Sequence, residues 1–351
     1  MASVPAFFRH SKIQAPLARL RSDVSGVWRA LFSATGKYAP LAKDDIETRQ
    51  EEFVPFKGDI PLNAGDEYGQ RRHSYVKPRP VFEEVESLVV TPGGGAWKEG
   101  VLYERYSAEK PGLRMLMADR KPSERASAGI FIQSEHVDTF GDWMAEYLTP
   151  LAQLPQIDAP VFLPASMAAK GYVRRDGARL GIEFRGVDRP VLIERAKVLR
   201  QPRVLRYWRA EQVQALKELL KANPPQPAPG SLLYLSRQGE QSEVADRTYP
   251  SLMVEKEVQA RGGKVLRTAE ASLEDYLNAA QYADTLLYDH GSAAYNMIYW
   301  RPRRAIEFVS DDWWVNAFLF FADGLGVRDY TILCTDRPGL EQRLAAVLDV
   351  D

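Results

Sequence analysis

Short apolar runs alternate with stretches of helical periodicity over most of the chain beyond residue 80. The runs of the first half, each of strand length, are Ser87–Val90, Gly129–Ile132 and Val161–Leu163. Helices are predicted to start at Phe140 and to cover Ala210–Leu220. Strand and helix alternation at this spacing predicts a parallel sheet with helices on both faces.

A proline-rich stretch separates this half from a second one with the same alternation. Asn223–Gly230 holds four prolines and a glycine in eight residues, which excludes regular structure and indicates a linker. Beyond it, the pattern predicts helices Leu252–Arg261 and Leu273–Tyr282 and strands Leu232–Ser236, Lys264–Arg267, Thr285–Tyr288 and Ala305–Val309. The sequence therefore predicts an α/β protein of two facing Rossmann-like domains, residues 1–222 (with an irregular stretch over 33–80) and 231–351.

Composition supports two cores and narrows the classes of partner. The chain has 351 residues, of which 45% are apolar, enough for two domains of ordinary size. Its formal net charge of −1 gives no global basic field for nucleic acid. The single cysteine, Cys334, excludes an internal disulfide and any cysteine-based zinc site, and a reducing cytoplasm fits this usage.

Membrane signals are confined to the N-terminal part. No segment has the roughly 18–20 apolar residues that a membrane span needs, and residues 1–8 lack the charged-then-apolar order of a signal peptide. Residues 7–32 mix arginines and lysine with leucines, valines and a tryptophan. This basic amphipathic segment could contact an anionic membrane surface, at the inner face of the membrane, or pack on its own domain or form a mobile arm.

The most distinctive stretch is Thr285–Tyr299, where an apolar run ends in Asp-His-Gly-Ser and a helix-compatible segment follows. This order predicts a buried strand that leads into a tight turn, with Ser292 as cap of the next helix. Free N–H groups at a helix start bind anions, and Gly291 would let a phosphate approach the backbone closely. His290, one of four histidines, lies in this turn.

Ligands of parallel sheets bind at the carboxyl ends of the strands. In the second half those ends carry Arg237, His290 and the segment after Glu307. The chain has no Gly-x-x-x-x-Gly-Lys-Ser/Thr and no strand-linked Gly-x-Gly-x-x-Gly, which argues against a phosphoryl-transfer or dinucleotide enzyme.

Three blocks of sequence resemble glycosyltransferase family 61, which includes bacterial capsule-type, plant xylan-modifying and animal N-acetylglucosaminyl transferases. The blocks are Phe140–Leu151, Leu232–Arg237 followed by Arg247 and Glu255, and His290–Asn296 followed by Glu307. Their order and spacing make the resemblance specific over residues ~130 to ~330, as expected of segments that carry special turn and charge chemistry. The first eighty residues take no part in it.

The resemblance implies a GT-B fold and inverting transfer of a sugar from a nucleotide-sugar donor, usually a UDP-sugar, to a glycan hydroxyl. It implies no essential metal, and the absence of an Asp-x-Asp sequence fits that. The leaving diphosphate would then be stabilised by arginines and helix N-termini. A bacterial capsule or lipopolysaccharide glycan is the expected acceptor, in polysaccharide biosynthesis.

Eight residues stand at the donor-binding positions that the resemblance implies: Arg237, Arg247, Glu255, His290, Gly291, Ser292, Asn296 and Glu307. Ser292 departs from the family pattern, which more often has Ala there. Alternatives are open for several of them. Ser292 could only cap the helix, Asn296 could hold the loop, and Glu255 could lie on a solvated helix face. Glu307, in an apolar strand, needs a partner such as a ribose hydroxyl or an arginine.

The catalytic base, which takes the proton of the attacking hydroxyl, is predicted in the first half of the chain. Asp142 matches the family position that carries His or Asp, and His136 is the second candidate because imidazole titrates near neutral pH. Asp142 could instead only pair with Thr139 in a helix cap, or bind the acceptor.

A non-catalytic scaffold of the same fold, binding nucleotide or glycan, is the alternative function. It would have lost groups such as Asp142 and Arg237, and both are present.

Overall fold

The computed structural model describes residues 38–39, 49–52, 54–62, 73–76, 81–92, 95–103, 119–132, 139–200, 208–240, 249–311 and 313–349. Contacts divide the chain into two compact units that alternate along the sequence. Unit 1 comprises residues 1–46, 79–137 and 157–202, and unit 2 comprises residues 47–78, 138–156 and 203–351.

Sixteen strands are assigned within the described ranges. They are β1 (Tyr38–Ala39), β2 (Arg49–Glu52), β3 (Lys57–Gly58), β4 (His73–Val76), β5 (Val81–Val90), β6 (Ala96–Lys98), β7 (Val101–Tyr103), β8 (Glu124–Phe131), β9 (Val161–Pro164), β10 (Phe184–Val187), β11 (Val191–Arg200), β12 (Leu232–Ser236), β13 (Lys264–Arg267), β14 (Thr285–Asp289), β15 (Arg304–Val309) and β16 (Asp329–Cys334).

The helices of the described ranges include α-helical, π-helical and 3-10 segments. The α-helices are Phe140–Asp142, Thr149–Leu151, Ala165–Ala168, Gly171–Leu180, Ala210–Leu219, Ser251–Ala260, Leu273–Asn278, Ala317–Gly324 and Leu340–Leu348. A π-helical segment, Trp143–Leu148, joins the first two of these, and Ala279–Tyr282 and Ser292–Tyr299 are 3-10 helices.

Unit 1 contains an eight-stranded mixed sheet in the order β1-β7-β6-β5-β11-β8-β9-β10. Strands β11, β8, β9 and β10 run parallel, whereas β5 pairs antiparallel with β11 and with β6. One face carries the core, which includes Leu88, Phe131 and Ile193. The sheet is thus not the all-parallel one that the alternation predicted.

The other face of this sheet explains the difference. Glu84 and Glu86 of β5 lie opposite Lys197 and Arg195 of β11, and they line a polar cavity of about 650 Å³. Strands that alternate apolar and charged side chains suit an antiparallel pair with one solvated face, not a sheet covered on both faces. The predicted strand Ser87–Val90 comprises only the last four residues of β5 and lacks this alternation.

Unit 2 contains an all-parallel sheet in the order β13-β12-β14-β15-β16-β3. The predicted strands of this half are confirmed within one residue at each end as β12 to β15. Their core comprises buried side chains such as Tyr234, Leu287 and Phe308, which pack against Val254 and Val258 of the helix Ser251–Ala260. Apolar residues on both sheet faces are typical of strands that helices cover on both sides.

The proline-rich stretch 223–230 has no regular structure, as predicted. It lies inside unit 2 together with the helix Ala210–Leu219. The division of the chain into an acceptor-side and a donor-side domain at this stretch stays a prediction.

The edge strand β3 comes from the part of the chain that was predicted to be irregular. It pairs with β16, and the Asp59 carboxylate that follows it accepts the Cys334 N–H at 2.7 Å and a hydrogen bond from Arg343. Nη1 of Arg337 lies 3.6 Å from Oδ1 of Asp59, and Nη2 of Arg337 donates to the Ile60 carbonyl at 2.6 Å. Asp59 therefore fastens residues 54–62 to the sheet of unit 2.

Within the described part of the chain, no helix has the length and apolarity that crossing a membrane requires.

We expect Asp59→Ala to lower the free energy of unfolding of unit 2 by about 2–4 kcal/mol, because it leaves the buried Cys334 N–H without its acceptor and removes the carboxylate that Arg343 and Arg337 share. Chemical denaturation followed by tryptophan fluorescence measures this. Glu257→Ala is the control, since it removes an exposed helical ion pair with Arg261 in the same unit and should cost about 0.5 kcal/mol or less. Equal losses in the two variants would contradict the assigned role of Asp59.

Candidate functional site at the carboxyl edge of unit 2

In the parallel sheet of unit 2, the direction in which successive strands are added reverses between β12 and β14. β13 follows β12 in the chain but lies on one side of it, whereas β14 lies on the other side. Loops that leave two such strands diverge, and the crevice between the carboxyl ends of the strands is the place where ligands of such sheets bind. Arg237 follows β12, and His290 and Gly291 follow β14.

A buried carboxylate joins these two loops. Asp289, 2% exposed, accepts hydrogen bonds from the hydroxyls of Tyr234 and Ser251, both at 2.7 Å, and from the backbone N–H of Arg237 at 2.9 Å. Burial raises the pKa of Asp289 to about 6, although the three donors act in the opposite direction. We call Asp289 with Tyr234, Ser251 and Arg237 the Asp289 network.

The Arg237 side chain lies across the turn after β14. Its Nε donates to Glu240 at 2.5 Å and its Nη1 to the His290 carbonyl at 3.0 Å, which also accepts from the Tyr249 hydroxyl at 3.2 Å. A Cβ on Gly291 would lie 3.0 Å from Nη1 of Arg237. The glycine thus allows the guanidinium to lie close to the backbone of this turn.

Glu255 is also buried, at 4% exposure, so the alternative of a solvated helix face is wrong. Its carboxylate accepts from the Ser236 hydroxyl at 2.7 Å and from Arg267 Nε and Nη2 at 3.1 and 2.8 Å. The two hydrogen bonds of Arg267 hold the pKa of Glu255 below its usual range, against the effect of burial. Arg267 ends β13, so a second arginine lies at this edge of the sheet.

His290 and Glu307 form a buried pair, 2% and 0% exposed. His290 Nδ1 lies 2.7 Å from Glu307 Oε1, while Glu307 Oε2 accepts from the Trp314 indole at 3.0 Å and from the Tyr330 hydroxyl at 2.9 Å. The Tyr330 hydroxyl is hydrogen-bonded to that of Tyr288. These five residues are the His290 network.

The two phenols of this network act as donors. Burial, and next the charge of Glu307, raise the pKa of both Tyr288 and Tyr330 well above the usual range. The partners that Glu307 needed are thus protein side chains. Its predicted contact with a ribose stays a prediction, and the structure shows both oxygens already engaged.

The helix after the turn differs from the prediction. Ser292–Tyr299 is a 3-10 helix, its N-cap residue is Gly291, and no side chain caps it, so the predicted capping by Ser292 is wrong. Three residues per turn place Asn296 in line with Ala293 instead of Ser292. The Asn296 amide accordingly donates to the Ala293 carbonyl at 3.0 Å, which supports its loop-holding alternative.

Asp142 lies in unit 2, although the base was expected in the first of two domains. It forms a capping box with Thr139: its Oδ2 accepts from the Thr139 backbone N–H at 3.1 Å and from the hydroxyl at 2.8 Å. The alternative of a cap is therefore confirmed as geometry, and the role of Asp142 as base stays a prediction. A Cβ on Gly141 would lie 3.1 Å from Ser292 Cβ, so Asp142 lies beside the turn after β14.

Sequence reasoning missed a second buried acid on this segment. Glu146, 1% exposed, lies in the π-helical stretch Trp143–Leu148, a helix form that is frequent at functional sites. Burial raises the pKa of Tyr295, and the charges of Asp142 and Glu146 add to the effect. Both acids therefore lie near one phenol. The four-residue spacing of Asp142 and Glu146 was the available signal.

Asp289, Arg267, Trp314 and Tyr330 were also missed. An aspartate that ends an apolar run was visible in the sequence, but the partners of these four side chains lie on other strands, helices and loops, far away in the chain. His136, Arg247 and residues 7–32 lie outside the described residues. In the ranges that the structure describes, no three His, Cys, Asp or Glu side chains are grouped so as to hold a metal ion.

Residues 140–306 match the family model described as Glycosyltransferase 61. The match covers Asp142 and the turns after β12 and β14, and over these residues it confirms the similarity to glycosyltransferase family 61 that the sequence predicted. A match to this family implies a glycosyltransferase. The curated proteins contain no match to the chain.

The pKa of Asp289 predicts a pH dependence of stability. Its folded value of about 6 exceeds the ordinary 3.8, so the neutral form is favoured in the folded state. This stability is fully present below pH 3.8 and is lost as the pH rises to about 6, a change of about 3 kcal/mol. We expect the unfolding free energy of the wild type, relative to Asp289→Asn, to fall over this range. A pH-independent difference in denaturation would contradict it.

Proposed function

We propose that the protein is a metal-independent inverting glycosyltransferase of the GT-B class. It moves a sugar from a nucleotide-sugar donor, a UDP-sugar, to a hydroxyl of a glycan acceptor, in bacterial polysaccharide biosynthesis in the cytoplasm. The family match supports the transferase class. The single buried Cys334 fits a reducing compartment. The donor, the stereochemistry, the acceptor and the location are part of the proposal.

The position of Arg237 carries the proposal. Its guanidinium lies over Gly291 in the crevice between the ends of β12 and β14. Within the described residues, its contacts with Glu240 and the His290 carbonyl use two of its five donor hydrogens, and the other three are available to an anion. A guanidinium binds phosphate oxygens through paired, charge-assisted hydrogen bonds.

Three acceptor groups fix Arg237 in place before any ligand binds. Glu240 orients Nε, the His290 carbonyl orients Nη1, and Asp289 fixes the backbone N–H of Arg237. A group fixed in advance stabilises developing charge without reorganisation during the reaction. In the proposed reaction that charge develops on the diphosphate.

The reaction then proceeds by a single displacement. The acceptor hydroxyl oxygen attacks the anomeric carbon while the bond from that carbon to the diphosphate oxygen breaks, and the bonding electron pair leaves on the diphosphate. The proton of the hydroxyl passes to a base, for which we retain Asp142 and, as the second candidate, His136. Arg237 and the turn 290–292 stabilise the leaving group, with Arg247, Glu255 and Asn296 as further donor-site residues.

Nucleotide binding tests this proposal. We expect UDP to raise the melting temperature in calorimetry, to do so equally with EDTA, and to bind more tightly than GDP or CMP. Arg237→Ala should weaken UDP binding by about 10- to 100-fold, the loss of one or two charge-assisted hydrogen bonds. Arg261→Ala is the matched control, because this arginine also forms ion pairs but precedes β13 at the opposite edge.

The outcomes separate the two functions. UDP binding with sugar release from a UDP-sugar supports the transferase, whereas binding without turnover on any sugar or glycan favours the non-catalytic scaffold. No nucleotide binding, or equal losses in Arg237→Ala and Arg261→Ala, would contradict the proposed donor site.

A further inference from the structure

The His290 network determines which nitrogen of His290 carries a hydrogen. Its central carboxylate, Glu307, is fully buried and has a different set of partners on each oxygen. Among the described residues, Oε1 has the Nδ1 of His290 as its hydrogen-bond partner, and Oε2 accepts from Trp314 and Tyr330. The arrangement has a direction that follows from the chemistry of these groups.

Trp314 and Tyr330 both donate to Glu307. An indole has a donor and no acceptor, so Trp314 must donate. Tyr330 has one hydroxyl hydrogen, which points to Glu307, so its oxygen accepts the hydrogen of Tyr288. Two hydrogens thus point to Oε2, and a third, that of Tyr288, points to the Tyr330 oxygen. The two donors at Oε2 stabilise negative charge on the carboxylate.

A negative carboxylate cannot donate to the remaining partner. The hydrogen between Oε1 and His290 therefore lies on Nδ1, in the neutral and in the protonated ring alike. Because Nδ1 and Nε2 lie on opposite sides of the ring, Nε2 points away from Glu307. In a free neutral histidine side chain the hydrogen lies mainly on Nε2, so the network reverses the intrinsic tautomer preference of the ring.

We propose that Glu307, Trp314 and Tyr330 are positioning residues that keep the hydrogen of His290 on Nδ1, so that Nε2 is the atom offered to the reactants. When the ring is neutral, Nε2 accepts a hydrogen from a hydroxyl group of the donor sugar or of the acceptor. The inference rests on the proposed function for the identity of these reactants. The ring state itself does not depend on it.

The isosteric variant Glu307→Gln gives the sharpest test. Trp314 and Tyr330 both donate, so they would draw the amide oxygen of the glutamine to their side. The amide NH2 then faces Nδ1 and can only donate to it, which forces the hydrogen of a neutral His290 onto Nε2. Glu307→Gln should therefore reverse the tautomer, whereas a carboxylate of no positioning role would leave it unchanged.

Nitrogen NMR reads the tautomer directly. Two-dimensional 15N–1H spectra that correlate ring nitrogens with ring carbons' hydrogens distinguish a protonated from an unprotonated nitrogen, and the chain has four histidines. The His290 signals are those absent in His290→Asn. At a pH where the ring is neutral, we expect Nδ1–H in the wild type and in Tyr288→Phe, which leaves both donors to Oε2, and Nε2–H in Glu307→Gln.

Turnover links the tautomer to the reaction. Sugar transfer by Glu307→Gln should fall roughly 10²- to 10⁴-fold, as when an enzyme's buried carboxylate partner of histidine is made an amide, with UDP affinity changed less than threefold. Tyr330→Phe, which keeps Trp314 as donor, should retain Nδ1–H and lose less activity. If Glu307→Gln does not fold, the spectrum of the neutral wild type is the test, because an unprotonated Nδ1 there would contradict the inference.

Three results would overturn the inference. They are an unprotonated Nδ1 in the neutral wild type, an unchanged tautomer in folded Glu307→Gln, and a reversed tautomer with full turnover. A wild type that binds no nucleotide would refute the proposed function instead. The spectra need no ligand, so the two failures are distinguishable.

Discussion

The hydrogen bonds of the buried Asp289 carboxylate determine the geometry of the carboxyl edge of unit 2. They link Tyr234 within β12, the Arg237 N–H after it, and Ser251 at the start of the next helix. An anion in this position is costly unless every lone pair is used, and burial accordingly raises its pKa. The same three bonds that compensate for burial fix the turn that carries Arg237.

A second buried acid organises the neighbouring turn. Glu307 lies on β15, next to β14, and orients His290 through Oε1 while two donors occupy Oε2. Asp289 thus fixes the backbone of Arg237, and Glu307 orients the imidazole of His290. Arg237 and His290 are thus both supported by buried carboxylates on strands, which keeps them ordered before binding and would limit the reorganisation cost of the proposed reaction.

The sequence was informative where local chemistry decides the outcome. Apolar runs with glycine or proline boundaries gave the strands β12 to β15, and the strand-to-turn pattern located His290 and Gly291 at the ligand edge. Sequence reasoning failed where the backbone adopted a less common form. A 3-10 helix after Gly291 removed the cap expected of Ser292 and moved Asn296 out of line with it. The π-helical stretch of 143–148 was equally invisible, because its apolar pattern matches that of an α-helix.

Partners far apart in the chain could not be read from the pattern. His290 and Glu307 are 17 residues apart, Ser236 and Glu255 are 19 apart, and Tyr234 and Asp289 are 55 apart.

The structure of a complex with UDP tests the account most directly. We expect a phosphate oxygen within hydrogen-bond distance of the Arg237 guanidinium, over Gly291, between the ends of β12 and β14. Ordered UDP bound elsewhere, with Arg237 still held by Glu240 and His290 alone, would contradict it.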